Sequence, residues 1–525
     1  MKKIYLLVAV AMTAMSTQAQ EPTGDTYMAA QIATEDLNGT ARYVGMGGAM
    51  EALGADISTI SSNPAGIGLF RKSQISGSFG LNVQQNGKSF ADGSKTNASF
   101  DQIGFVYSSR MGQQNFVNFG FNYHKSRNFD YVLSAANALK GSAQCNQTTL
   151  KAINDPDLYS YDKRSNRYDF YSLAATQLDV LYVSNMVDDP EEEKVYSYDG
   201  DDYTFDRAHT GYIGEYDFNL SGNVNNRLYW GLTVGVNSVH YKGYSDYHEN
   251  LDGYTDEVTI TDSHKITGYG YSVKGGIIFR PMAESPFRIG AYISTPTFYK
   301  LETSNYTTID RNHDNESFTG KFRFNTPWKF GLSLGHTIGT SVALGATYEY
   351  SDYATCDMRT IDGYRYDYWT DTDYEESSTD PVMKRHTESS LKSVHMLKLG
   401  AELKVDKNVS LRAGYNYVSP IYQKSAMRDQ SIKSPGVCYA STTDYTNWDA
   451  TNRFTLGAGF AFDKFRLDLA YQYQMRDGDF YPFMKNYSAD YYDENDKIQT
   501  VTNSCEAVKV KDNRHQFLCT LSYTF

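Results

Sequence analysis

Beyond its first nineteen residues the chain has no run of about eighteen apolar residues, which excludes a helical membrane span. Basic charge is also short. Lys and Arg number 49 against 62 Asp and Glu, for a net charge of -13, which removes the basic face that nucleic acid demands. Cysteine is scarce, at five residues, and no two form Cys-x-x-Cys, so zinc-ribbon and thioredoxin-like chemistry have no motif. Cys145, Cys356, Cys438 and Cys505 fall in long polar links, and Cys519 lies near the end. In an exported chain those four allow three pairings, among which sequence does not choose. The ten histidines are scattered. His240 and His248 flank one link and His386 and His395 another, but no His-x-x-x-His sets two ligands on one face, so no metal or haem is expected. Gly-x-Ser-x-Gly is absent, and no serine is marked as a hydrolase nucleophile. Neither enzyme activity nor a cofactor is expected.

What the chain does have is an opening signal, many aromatics and a rhythm. Lys2 and Lys3, the apolar run from Ile4 to Met15, and Thr17-Gln18-Ala19 read as a secretory signal cut before Gln20. Loss of its two lysines moves the net charge from -13 to -15. Mean hydropathy is polar, -0.54, yet aromatics reach 14%, with 45 Tyr. Tyr and Trp suit membrane interfaces, where one end of the ring is wet. The acids gather in links, as in Glu191–Glu193 with Asp199, Asp201 and Asp202, or Asp371, Asp373, Glu375 and Glu376. Their spacing is not that of an EF-hand, so they read as solvated surface rather than calcium ligands.

The rhythm is alternation of apolar and polar residues from about residue 74 to Phe525. In the last segment Phe517, Cys519, Leu521, Tyr523 and Phe525 share one face, and Leu518, Thr520, Ser522 and Thr524 the other. A strand reverses its side chain at each residue, so one face meets an apolar medium and the other a polar or confined one. The alternation predicts strands at about 74–84, 99–109, 115–125, 209–224, 227–242, 264–279, 287–303, 317–336, 340–353, 390–405, 409–418, 452–462, 465–475 and 515–525. That is an even number, fourteen. Short links such as Asn225-Asn226, Gly339, Asp406-Lys407-Asn408 and Asp463-Lys464 alternate with long ones near 85–98, 126–208, 243–263, 304–316, 354–389, 419–451 and 476–514. Loops long at one end and short at the other point to an all-β transmembrane barrel of about 14 antiparallel strands rather than a soluble sandwich. Leu228, Trp230, Leu232, Val234 and Val236 form one expected lipid face. Glu349, Lys398, Glu402, Lys404 and Arg412 are expected inside. Short turns belong on the periplasmic side, so both termini are expected there.

The link 126–208 is too long for a simple loop. Two parts of it read as helical: Tyr131, Val132, Leu133, Ala136 and Leu139, and then Phe170, Leu173, Ala174, Leu178, Leu181 and Tyr182. The second stripe reads either as a cap over the barrel or as an outer ligand groove built from Leu173, Leu178, Leu181 and Tyr182.

Residues 20–70 do not read as lipid-facing strands. They are small, Gly-rich and partly helical, as suits a plug in a confined lumen. A dinucleotide reading fails, because Met50 stands where a third glycine is needed. The run Gly39-Thr40-Ala41-Arg42-Tyr43-Val44-Gly45-Met46-Gly47-Gly48-Ala49, then Ala52-Leu53-Gly54-Ala55-Asp56, then Asn63-Pro64-Ala65-Gly66, resembles the N-terminal hatch of the long-chain fatty acid transporter (FadL/TodX) family. That family's fourteen-stranded, hatch-plugged barrel matches the strand count. The resemblance implies passive uptake of hydrophobic compounds through the outer membrane of a Gram-negative bacterium. Ligand is captured at outer loops and released sideways through a wall gap made by a kinked strand. It implies a hatch gate at Asn63, Pro64, Ala65 and Gly66, for which a plain turn into the first strand is the alternative. Gly120 in the third strand is the candidate wall kink.

The domains expected are a signal at 1–19, a hatch at 20–70 and a barrel at 71–525. The implied partners are a hydrophobic small-molecule ligand, outer membrane lipids and the barrel assembly machinery, with Tyr523 and Phe525 as the assembly signal. A closed barrel has no free edge, so a monomer is expected. An alternative function is a type IX secretion shuttle or surface protein-binding component on a similar barrel. A continuous apolar pocket from outer loops to hatch would separate the two.

Overall fold

The computed structural model describes residues 24–525 apart from 145, 148–149, 151–158, 163–166, 171–198, 253–256, 310–315, 370, 429–443 and 493–497. The signal segment, the stripe Leu173, Leu178, Leu181 and Tyr182, and Cys145 and Cys438 lie outside the described residues.

Fourteen strands form the wall. They are β1 (Gln74–Gln84), β2 (Thr96–Arg110), β3 (Phe116–Asn128), β4 (Gly200–Val224), β5 (Leu228–Leu251), β6 (Val258–Phe279), β7 in two segments (Arg288–Ser294 and Phe298–Ile309) and β8 in two (Glu316–Asn325 and Lys329–Ile338). The circuit continues with β9 (Val342–Asp352), β10 (Ser393–Lys404), β11 (Val409–Val418), β12 (Thr451–Phe462), β13 (Phe465–Met475) and β14 (Arg514–Thr524). Each pairs antiparallel with the next, and β14 returns to β1 from Gln74↔Thr524 to Gln84↔Arg514, closing the barrel. Closure gives every wall strand a paired neighbour on both edges, as a bilayer requires.

The alternation behaves as the residues dictate. Phe218, Leu220, Leu232, Val234, Leu456 and Phe517 are exposed on the outside. Lys398, Glu402, Arg412 and Asp468 are buried inside. Lys404, at the strand end, is exposed. The turns use the residues that allow left-handed backbone, with positive φ at Asn225, Asn226, Gly339 and Asp463. No described helix is long and apolar enough to cross a membrane.

The structure corrects the expected elements in three places. Tyr131–Ala138 is a strand, not a helix, pairing from Tyr131↔His209 to Ala138↔Asp202. β4, β5 and β6 run 25, 24 and 22 residues, where about 9–11 would cross a bilayer. Their ends therefore stand clear of the membrane and offer an edge to residues 131–138. Phe170 likewise falls in a short strand, Arg167–Phe170. Third, β7 and β8, expected as continuous, break at 295–297 and 326–328, where Pro296 and Pro327 have no N–H for the ladder.

Tyr523 and Phe525 sit at the short-turn end, with rings edge-on at 5.0 Å. Among the described cysteines Cys356 and Cys505 are buried and unbonded, and Cys519 is exposed on the outer face. Burial pushes the Cys505 thiol, in a long link, up to about 12.

Candidate functional site

Residues 24–70 fill the lumen. Helix α1 (Thr26–Ala33) is capped by Asp25, whose Oδ1 accepts from the Met28 N–H at 2.7 Å. Residues 35–38 run extended to α2 (Ala41–Gly45), where Thr40 Oγ1 accepts from the Tyr43 N–H. Two 3-10 turns follow, Ile57–Ser61 and Pro64–Leu69.

The Asn-Pro-Ala-Gly stretch is the capped start of the second turn. Asn63 is fully buried. Its Oδ1 accepts from the Ala65 N–H at 3.2 Å, and its Nδ2 donates to Glu51 O at 3.0 Å and Ile277 O, on β6, at 3.4 Å. Pro64 takes the first turn position, where its missing N–H costs nothing. Gly66 O accepts from the Ala55 N–H at 3.0 Å. These four residues join hatch to wall and tie residues 51–55 of the hatch to 63–66.

The wall receives them on glycines. A Cβ on Gly276 would lie 2.0 Å from Asn63 Oδ1, and one on Gly231 would lie 2.3 Å from the Pro64 carbonyl carbon. Gly231 and Gly276 are direct partners across β5 and β6. On the far side Gly345, Gly400 and Gly414 pair in one row across β9, β10 and β11. Cβ atoms there would meet Ala49 O at 1.9 Å, Met46 O at 2.3 Å and Gly47 N at 2.2 Å. The hatch backbone thus lies directly on the wall backbone, which side chains at those positions would forbid.

Charge fixes the remainder. Arg42 holds Glu402 bidentately, both contacts at 3.1 Å, and Glu402 also accepts from Arg412 Nε at 2.6 Å. Burial alone would lower the Arg42 pKa, but Glu402 outweighs it and the guanidinium is held well above its ordinary value. Glu51, on the hatch, meets Lys398 Nζ at 2.8 Å and Thr347 Oγ1 at 2.7 Å.

The ladder between β2 and β3 stops at Gln102↔His124, although both strands run on. Each bulges just beyond, β2 at Asp101 against β1 and β3 at Ser126 against β4. Hatch residues fill this seam. The Asp36 N–H donates to Ser126 O at 2.8 Å. The Asp36 carboxylate meets Arg127 Nη1 at 2.8 Å and the Asn128 N–H at 2.9 Å. Asn38 Nδ2 donates to Asp101 Oδ1 and Lys125 O, both at 3.0 Å. Burial pushes the Asp36 carboxyl up, but Arg127, Arg453, Arg514 and the Asn128 N–H outweigh it and hold the carboxyl below its usual range. Outside, the Phe100 and Tyr123 rings stack across the seam at 6.0 Å. Gly120 is not the kink. It pairs in unbroken register with Val106 and Asn219, and the irregularity of β3 lies at Ser126. A Cβ on Gly120 would meet Ile60 Cδ1 at 3.2 Å, so it too provides hatch clearance.

Two cavities lie along the hatch. The outer, about 170 Å³, sits over α1 and is walled by Phe129, Tyr131, Trp448 and several arginines. The inner, about 80 Å³, borders residues 35–38, Ser61, His124 and Lys274. Both linings carry many charged side chains, so the continuous apolar pocket expected of a transporter is not found among the described residues. Beside the inner cavity His124, Glu215 and Asp217 place ligand atoms within 4.8 Å of one another, a spacing that could hold a metal. Lys274 Nζ already contacts both carboxylates, and Ser61 Oγ donates to Asp217 at 2.6 Å, so the cluster reads as an ion-pair network reaching the hatch. The histidine spacing carried no sign of it, because its members come from β3 and β4.

The glycine seat and the outer arginines were also missed. The glycines left a trace, since each interrupts a wall strand where a side chain should stand. The arginines left none, because strand closure alone assembles them.

No family model and no curated protein matches the chain. Similar solved structures include the Ralstonia pickettii toluene transporter TbuX, at 12% identity over 93% of this chain and 99% of that one, TM-score 0.46. A Pseudomonas aeruginosa FadL homologue matches at 12% identity over 97% and 100%, TM-score 0.48. The P. putida toluene transporter TodX matches at 12% identity over 93% and 99%, TM-score 0.45.

Proposed function

We propose that this barrel is an outer-membrane channel through which small hydrophobic or amphipathic molecules diffuse without an energy source. The observation that carries the reading is the pair of cavities strung along the hatch from the outer loops to the β2–β3 seam. Ligand enters the outer cavity, passes beside residues 35–38 and leaves sideways through the seam into the bilayer. The hatch resemblance over residues 39–66 supports it. In this scheme Asn63, Pro64, Ala65 and Gly66 anchor the hatch, while Asp36 and Asn38 form the piece that moves. Both termini face the periplasm.

The test is uptake of a labelled long-chain fatty acid and of labelled toluene by cells lacking their own transporter, at matched barrel levels. Asn38→Ala, which unplugs the seam, raises uptake of a transported compound several-fold. Asn63→Ala, which frees the anchor, lowers it. Equal uptake by all three forms sinks the seam as the exit.

A second reading is a type IX secretion shuttle or surface protein-binding component. It draws on the outer hairpin Asp357–Asp367 and Thr372–Thr379, beside whose tip Tyr368 is 88% and Trp369 97% exposed. A folded barrel that imports nothing but retains a protein on purification would favour it.

A further inference from the structure

The chain is acidic, yet one stretch of its outer wall is basic. On β5, β6 and the second segment of β7, Lys242, Lys265 and Lys300 point outward and are exposed. Lys242 and Lys265 are direct partners in the β5–β6 ladder. Lys300 stands directly opposite Arg323 across β7 and β8. Like charges set opposite each other weaken a sheet, because their Cβ atoms lie only about 4.5–5.5 Å apart. An anion between them removes that penalty.

The protein supplies few anions there. Arg323 is met by Glu375. Glu302 lies on the same face, with Lys321 directly opposite it. Among the described residues Lys242, Lys265 and Lys300 form no ion pair. The next acids outward on this face, the facing pair Asp206 and Asp246, lie four residues further along their strands, about 13 Å away. The 85–98 link packs on Tyr244 through Phe90, and it brings Asp92 together with Lys88 and Lys95, so it adds no net negative charge.

Height on the wall decides which anion fits. The outward residues of β6 run Phe279, Ile277, Val273, Tyr271 and Tyr269, all exposed, and Lys265 follows four residues on. A tilted strand crosses a bilayer in about 9–11 residues, which the stretch Tyr269–Phe279 already covers. Tyr269 and Tyr271 thus mark the membrane interface. Lys300 is level with Tyr269, and Lys265 and Lys242 stand just beyond it, at headgroup height. Hydroxyls flank them, with Ser304 opposite Lys265 and Thr210 opposite Lys242. On the opposite wall the outward residues past the aromatics, Asp352, Ser393, Tyr417 and Asn452, carry no positive charge. Resting on the orientation given above, with the long links outward, we infer that this face is a binding site for a phosphorylated glycolipid of the outer leaflet, its phosphate between Lys242 and Lys265 and its acyl chains along Tyr271, Val273 and Val234.

The test is titration of the purified full-length barrel in detergent with fluorescent lipid A, against the same lipid after removal of its phosphates. The expected result is binding at least tenfold tighter for the phosphorylated form, and no displacement by inorganic phosphate at equal concentration. The double variant Lys242→Gln, Lys265→Gln should lose at least tenfold. Lys407→Gln with Lys464→Gln, on short turns at the other end, should bind like the parent. Without lipid the first double variant should unfold at the parent's temperature or higher, because a like-charge contact is gone; a merely structural role would lower it. Should that variant fail to give heat-modifiable gel migration, Lys265→Gln alone takes its place, with a loss of at least threefold. Equal binding of the two lipids, displacement by inorganic phosphate, or unchanged binding in the folded variants overturns the inference. Uptake and orientation are scored apart. A barrel that imports nothing yet binds the phosphorylated lipid keeps the site and removes the channel, and one that imports but binds neither lipid does the reverse. Gly363→Cys, in a long-link hairpin, should be labelled on intact cells by a membrane-impermeant thiol reagent. Labelling only after lysis overturns the orientation, and with it the outer leaflet as the source of the lipid.

Discussion

At the residue scale the decisive positions are those with no side chain. Gly276 receives the Asn63 amide so closely that even one carbon would overlap it. Gly276→Val is therefore expected to unseat the hatch at a cost of about 1–3 kcal/mol, the range for forcing extra carbon into a packed site. The readout is limited proteolysis, with cleavage between 50 and 70 appearing in the variant while the barrel stays protected. Gly363→Val is the control, since nothing lies within 4 Å of a Cβ there, and it should cleave like the parent. The inner polar face was readable from sequence because period-two alternation is a backbone property: Lys398, Glu402 and Arg412 had to face away from their apolar neighbours. Their partners were not readable. Arg42 meets Glu402 across 360 residues, and only barrel closure sets that distance.

At the scale of elements the seam between β2 and β3 depends on Asp36, and that dependence has a sign. Its carboxyl is held below the usual range in the folded state. A depressed folded pKa contributes stability that is fully present above the unfolded value, about 3.9 for Asp, and is lost as pH falls through the folded value. Hydrogen exchange over residues 34–38 should be flat from pH 8 to pH 5 and accelerate only below about pH 4, after correction for intrinsic rates. Asp36→Asn should abolish the difference between the two regimes for this segment. Acceleration already at pH 6 would place the clasp elsewhere, on a histidine. The strands themselves were readable, β1, β11 and β13 to the residue, because turns of Asn, Asp and Gly bounded them. Tyr131–Ala138 was misread because a short apolar run fits either period, and the partner that decided it lies 64 to 78 residues further on. The β3 irregularity was sought at Gly120 and lies at Ser126, where the cause is a hatch residue bonding into the strand rather than a flexible one within it.

At the scale of the whole molecule, wall and plug are held by different forces. The wall closes by backbone ladders, including the eleven-residue seam of β1 with β14, and in a bilayer those bonds have no aqueous competitor. The hatch is held by close contact on glycines and by ion pairs such as Arg42 with Glu402 and Glu51 with Lys398. Breaking such a pair is costly when the remaining charge stays buried, by about 3–5 kcal/mol. Removing the whole hatch differs, because water would fill the vacated lumen and solvate Glu402, Arg412 and Lys398 where they stand. Deletion of residues 24–70 should therefore leave a barrel that inserts and keeps its heat-modifiable migration, while single-channel current in a planar bilayer rises from a nearly closed baseline to a steady open level. A deletion variant that fails to assemble would mean that the wall needs the plug as its core. The hatch would then be a folding element, and a scheme in which part of it swings aside to release cargo would have to confine that motion to residues 35–38.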